Sequence, residues 1–184
     1  MKKNILVLSL LIIVAALTRI VPHSYNFTPL AGMALVGSAY FNRKILAFAV
    51  PILALYLSDF ILNNTVYSSY YPGNSGWIFV TDFMIFTYGA MFLTVLLGMN
   101  MLRKVSGTRI LGAAVLSSII FFLVTNFGVW MSSPMYPKTI AGLGASYAAG
   151  LPFFQGTLLS NVIFTPVIFY AYQLMTQKQL SKVS

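Results

Sequence analysis

Four side chains in this sequence could carry a charge where the surrounding residues are apolar. They are Arg19, His23, Asp59 and Asp82, and the two aspartates are the only acids of the chain, as His23 is its only histidine. A charge in hydrocarbon costs several kcal/mol unless it is paired or wetted. Arg19 is therefore expected to pair with Asp59 or Asp82, either to fix helix packing or to wall a polar pocket. Nearby, Asn26-Phe27-Thr28-Pro29 reads as a helix start, with Thr28 as N-cap and Pro29 at the first helical position. That leaves the Asn26 amide free for a ligand. Asn126, within Thr125-Asn126-Phe127-Gly128-Val129-Trp130, is a carboxamide inside an apolar run and needs a helix or a ligand as partner. Trp130 suits a membrane interface or a pocket wall, and Lys138 is the other cation on the same side. Tyr67, Tyr70, Tyr71 and Trp77, beside Asn63, Asn64 and Asn74, suit an interfacial belt or a pocket for a ring-bearing solute. Arg19 and Lys138 favour a solute with an anionic group, unless the aspartates neutralise them.

The same inventory excludes much chemistry. The absence of cysteine rules out disulfides, iron–sulfur clusters and thiol catalysis. One histidine and two aspartates make neither a nucleophile–base–acid set nor a histidine-rich metal site. No GxxxxGK[ST] loop is present for nucleotide phosphates. Neither an enzyme nor a cofactor or metal centre is expected. The mid-depth positions of the apolar runs read as apolar, which argues against proton coupling, so transport would draw energy from elsewhere or be passive.

The elements that must hold these residues follow from composition. Hydrophobic residues make up 59% of the 184 and charged ones only 7%, against about 25% charged in soluble domains. A chain this size cannot hide so much apolar surface from water, so its solvent is lipid. A crossing needs about 20 apolar residues, and the runs at 4–21, 28–41, 45–62, 78–102, 109–131 and 153–175 supply six. The first is read as a retained span rather than a cleaved signal peptide. The run at 28–41 is the shortest.

The formal charge of +9 does not signal nucleic acid, because the basic residues cluster in the gaps between runs. With Lys2 and Lys3 in the cytoplasm, six spans place Arg43-Lys44, Arg103 to Arg109 and the C-terminal lysines there too. Nine of the eleven basic residues then face inward, leaving Arg19 and Lys138 outside. The outer gaps at 22–27, 63–77 and 132–152 are longer and hold or adjoin six of the eight prolines. Within the last, small residues recur four apart in two stripes, Ala141, Ala145 and Ala149 beside Gly142, Ser146 and Gly150. This predicts a short extra helix over the outer mouth, ended at Pro152.

Several stretches carry a resemblance to a known group. Arg19, Pro22, Asn26-Phe27-Thr28-Pro29, Gly37-Ser38-Ala39-Tyr40-Phe41-Asn42-Arg43, Pro51 and Ser58-Asp59 form its first part. Thr125-Asn126-Phe127, Trp130, Tyr136-Pro137-Lys138-Thr139, Gly142-Leu143 and Leu151-Pro152-Phe153-Phe154 form its second. Together they resemble an uncharacterised bacterial family of transport proteins, itself similar to the substrate-binding (S) components of energy-coupling factor (ECF) vitamin transporters. The resemblance implies a bacterial plasma membrane and an outward-open pocket walled by loops and outer helix halves. It also implies partnership with a transmembrane coupling subunit and cytoplasmic ATPases. S components often dock through alanines four apart on the first span. Here Ala15 and Ala16 are adjacent, and Ala31, Ala34 and Ser38 on the second span are the substitute.

The expectation is thus an all-α integral membrane protein, one domain over 1–184, with six transmembrane helices, a short outer helix and both termini cytoplasmic. Its expected function is capture of a small vitamin-like or other micronutrient solute through Arg19, Asn26, Asp59, Tyr67, Tyr71, Trp77, Asn126, Trp130 and Lys138. The alternative is a non-transporting membrane scaffold, which predicts small-residue faces toward lipid and a plugged outer mouth.

Overall fold

The computed structural model describes residues 2–21, 26–68 and 76–180. Among them the chain is all-helical: α1 (Lys2–Leu17), α2 (Leu30–Tyr40), α3 (Lys44–Asn64), α4 (Met84–Met101), α5 (Gly107–Ser132) and α6 (Ile140–Leu180). One turn of 3-10 helix at Thr18–Ile20 continues α1. α3, α4, α5 and Ile140–Thr176 of α6 are long and apolar enough to cross a membrane. Their apolar side chains also point outward, with Leu53, Ile85, Leu159 and Val167 all exposed. A helix that is apolar all round is either buried or in lipid, and these faces are not buried. The chain associates with a membrane.

α1 shows the same two-sidedness. Leu8, Ile12, Ala15 and Ala16 are buried while Leu6, Leu10, Val14 and Leu17 are exposed, so one apolar stripe meets the bundle and another faces away. The helix that organises the rest is α2. Seven of its eleven residues, Ala31 through Gly37, are buried, and every other helix touches it. Close approach requires glycine in two places. A methyl on Gly98 of α4 would overlap the Ser38 hydroxyl of α2, and one on Gly32 of α2 would stand 2.8 Å from Ile168 Cδ1 and 3.3 Å from Thr165 Cα of α6. This burial removes Ala31 and Ala34 as a docking surface; they are core residues.

Three further expectations need correction. The start of α2 lies at Leu30, with Pro29 rather than Thr28 as the N-cap and no side-chain cap bond. The Pro29 carbonyl accepts the Met33 N–H at 3.1 Å. α4 begins at Met84, not near residue 78, and 77–80 carry no regular secondary structure. Asn64 holds that segment against the end of α3 through both groups of its amide, accepting from Ile78 N at 2.8 Å and donating to Ile78 O at 2.9 Å. Hydropathy does not separate an apolar non-helical entry from a helix.

The largest correction concerns Pro152. No separate outer helix ends there; Ile140–Leu180 is one helix with Pro152 and Pro166 inside. A proline forfeits one backbone bond, and membrane helices absorb that loss where neighbours or Ser/Thr side chains satisfy the freed groups. The Gly142, Ser146 and Gly150 stripe is buried and runs along α5. Thr139 caps the start, its hydroxyl accepting from Gly142 N at 3.1 Å and its carbonyl from Leu143 N at 2.9 Å.

Candidate functional site

The ends of α1, α3 and α5 and the starts of α2, α4 and α6 share one end of the bundle, opposite the turns that hold Arg43-Lys44 and Arg103-Lys104. Arg19 lies in the 3-10 turn after α1, and its guanidinium reaches across to α3. Nη1 meets Asp59 Oδ1 at 2.6 Å and donates to Ser58 Oγ at 2.5 Å. Both partner side chains are largely buried, at 13% and 12% exposed. The second carboxylate oxygen is also taken, because Tyr88 Oη of α4 donates to Asp59 Oδ2 at 2.9 Å. Ser58 in turn donates to Leu55 O at 2.8 Å. The end of α1, the last third of α3 and the start of α4 are thereby tied through one carboxylate. Arg19 Nε is buried and has no partner among the described residues.

A cavity of about 550 Å³ opens beside this cluster. Its rim includes Arg19, Asp59, Asn26, Asn63, Tyr67 and Thr81. Deeper in, α4, α5 and α6 contribute Thr94, Ser117, Thr157 and Asn161. Thr94 lies ten residues inside the start of α4, about 15 Å at 1.5 Å per residue. The hydroxyls of this floor donate to their own helices: Thr94 to Ala90 O at 2.9 Å, Ser117 to Ala114 O at 2.8 Å and Thr157 to Phe153 O at 3.2 Å. Asn161 Nδ2 donates across to Ser118 Oγ at 2.9 Å. Leu55, Leu62, Phe83, Met84, Met91 and Phe121 fill the wall between rim and floor.

The nine expected contact residues divide. Arg19, Asn26, Asp59 and Tyr67 line the cavity. Asn26 takes a left-handed backbone, φ 56°, which asparagine tolerates better than most residues. Its carbonyl accepts from Thr28 N at 3.1 Å and from the Ser160 hydroxyl of α6 at 3.4 Å. Tyr71 lies outside the described residues, as do Tyr70, Asn74 and His23. Trp77 is 69% exposed, stacks on Phe60 with ring centroids 5.7 Å apart, and does not line the cavity. Asp82 is exposed in the turn before α4, so the partner of Arg19 is Asp59.

Asn126, Trp130 and Lys138 form a second corner, away from the cavity lining. Asn126 donates to Phe122 O at 2.8 Å, its carbonyl accepts from Ser146 Oγ at 2.9 Å, and its carboxamide stands against Gly150. Its partner is therefore a helix. Trp130 Nε1 donates to Pro137 O at 3.0 Å. Lys138 Nζ donates to Ser133 O at 2.7 Å and also to Trp130 O, satisfying carbonyls left open at the C-terminus of α5.

Sequence reasoning missed Ser58, Tyr88 and the whole polar floor. The mid-depth positions are uncharged, but those on the cavity floor, Thr94, Ser117, Thr157 and Asn161, are polar. The only signal was a hydroxyl or amide within an apolar run, and Ser or Thr in a membrane helix commonly bonds its own backbone.

Compared with known proteins, residues 1–183 match the model of a family described as "Family of unknown function (DUF6580)". No curated protein and no solved structure matches the chain.

Proposed function

We propose that this chain, which belongs to the DUF6580 family of unknown function, is a membrane transport protein that captures a small vitamin-like or other micronutrient solute from outside. The observation that carries this reading is the open cavity of about 550 Å³ at the bundle end opposite the basic turns. Ligand pockets typically hold about 300–1,000 Å³, with apolar walls and a few convergent polar groups. Here an ion pair and neutral polar residues at rim and floor converge on an apolar wall.

In this reading the chain crosses the membrane six times with both termini inside. α1 and its 3-10 turn have 16 and 3 residues, reaching about 30 Å, the thickness of the hydrocarbon core. α2, with 11 residues, reaches only about 17 Å. It sits sheltered among the other five, where a half-length helix meets protein rather than lipid. The resemblance to S components supports the same role and implies a coupling subunit with ATPases as partners.

A scaffold is the second reading, and one observation favours it. Ala141, Gly144, Ala145 and Ala148 of α6 are exposed, and small residues permit close helix approach in a membrane. The open cavity counts against it, since a scaffold predicts a plugged mouth. Native mass spectrometry of gently purified protein separates the two. A co-purifying small molecule is expected. Its repeated absence, with a stable complex of a non-transport partner, would overturn solute capture.

A further inference from the structure

We propose that the cavity takes an electrically neutral solute, with hydroxyl or N–H donors on the end that reaches the floor and a carbonyl or similar acceptor on the end that reaches Arg19. The proposal rests on the capture reading and narrows it.

Charge comes first. Among the described lining residues the charged ones are Arg19 and Asp59, and they hold each other at 2.6 Å. Both carboxylate oxygens have donors, one from Arg19 and one from Tyr88. The second outer cation, Lys138, is engaged at the end of α5 and does not line the cavity. An anionic solute would meet a cation already neutralised, and a cationic one a carboxylate already filled. Either would bring an unpaired charge into a largely apolar chamber, which is strongly unfavourable.

Hydrogen-bond sense comes next. A hydroxyl has one donor and two acceptor lone pairs. Thr94 and Thr157 give their protons to their own helices, so toward the cavity their oxygens are acceptors. Asn161 uses one N–H on Ser118 and keeps its carbonyl. The floor thus asks for donors. Arg19 presents the opposite: its guanidinium is donor-only, it lines the cavity, and its partners among the described residues, Asp59 and Ser58, are both held through Nη1. A solute acceptor at the rim would take one of the remaining N–H groups. Between the two, Leu55, Met91 and Phe121 suit an apolar or ring-shaped body.

The test is thermal stability of the full chain in detergent, titrated with probe pairs matched in shape and differing in charge: nicotinamide with nicotinate, and pantothenol with pantothenate. The neutral member of at least one pair is expected to raise the melting temperature at a concentration at least tenfold below its carboxylate. N,N-dimethylnicotinamide, without N–H donors, is expected to need tenfold more than nicotinamide; equal binding overturns the donor assignment. Asp59→Asn leaves Arg19 unpaired and is expected to reverse the charge preference, and Arg19→Gln with Asp59→Asn to restore it. A pair that only braces the helices would produce no such reversal. Tighter binding of the carboxylates to the unaltered chain overturns neutrality while leaving solute capture intact. No binding by any probe, with a native mass spectrum free of small molecules, overturns both.

Discussion

Two corners of the bundle end opposite the basic turns hold similar residues and do different things with them. Each has a cation, an asparagine and aromatic rings. At one, Arg19 faces Asp59 across a gap between α1 and α3, and a cavity opens beside the pair. At the other, Lys138 folds back onto carbonyls of Trp130 and Ser133, Trp130 bonds Pro137, and Asn126 is packed against Gly150. The first corner joins helices distant in sequence and leaves space; the second closes a turn between consecutive helices and leaves none. A cation and an amide near a membrane surface mark a site only where the helices that carry them diverge.

The comparison breaks most readily at Asp59. Asp59→Ala strands the Arg19 guanidinium among α1, α3 and α4, and removing one member of a buried pair costs about 3 kcal/mol or more. A large fall in the melting temperature and loss of binding by the neutral probes are expected together. If melting is unchanged, the pair does not brace this corner. Next in size is the other corner. A methyl at Gly142 would overlap the Pro137 carbonyl, which is backbone and already accepts from Trp130 and Thr139. Overpacking of this kind costs about 2 kcal/mol. Gly142→Ala is therefore expected to lower the melting temperature while leaving the half-saturating concentration of a bound probe unchanged. Loss of binding would show that the two corners are coupled through α6.

Much of this arrangement was legible before any coordinates. Apolar runs and basic clusters gave the helices and their alternation, because lipid penalises an uncompensated charge wherever it falls. That Arg19 must find an acid followed from the same penalty. Which acid did not follow. Asp82 was at a comparable position until the non-helical entry at 77–80, held by Asn64, delayed the start of α4 and left Asp82 exposed. Pro152 misled for a related reason: its missing N–H ends helices in water, where the chain has alternatives, whereas here α6 runs on along α5. The floor was hidden most thoroughly. Thr94 and Ser117 look, one helix at a time, like residues bonded to their own backbone, and they are. Only the convergence of α4, α5 and α6 turns those spare lone pairs into a surface.

The smallest effect belongs to Lys138, and it sharpens the contrast most. By type and end of the bundle Lys138 equals Arg19, yet it is exposed and its contacts are carbonyls at a helix end. Such a cation contributes about 0.3–1 kcal/mol through the terminal carbonyls and the helix dipole. Its ammonium, 5.9 Å from the Trp130 ring centroid, adds at most a comparable amount at an exposed position. Lys138→Gln keeps a donor and removes the charge. It is expected to shift the melting temperature slightly, and less at high salt, with probe binding unaltered for neutral and carboxylate members alike. Should Lys138→Gln selectively weaken the carboxylate members, the second cation would be in electrostatic reach of the solute. The chamber would then have to be redrawn to include the α5–α6 turn.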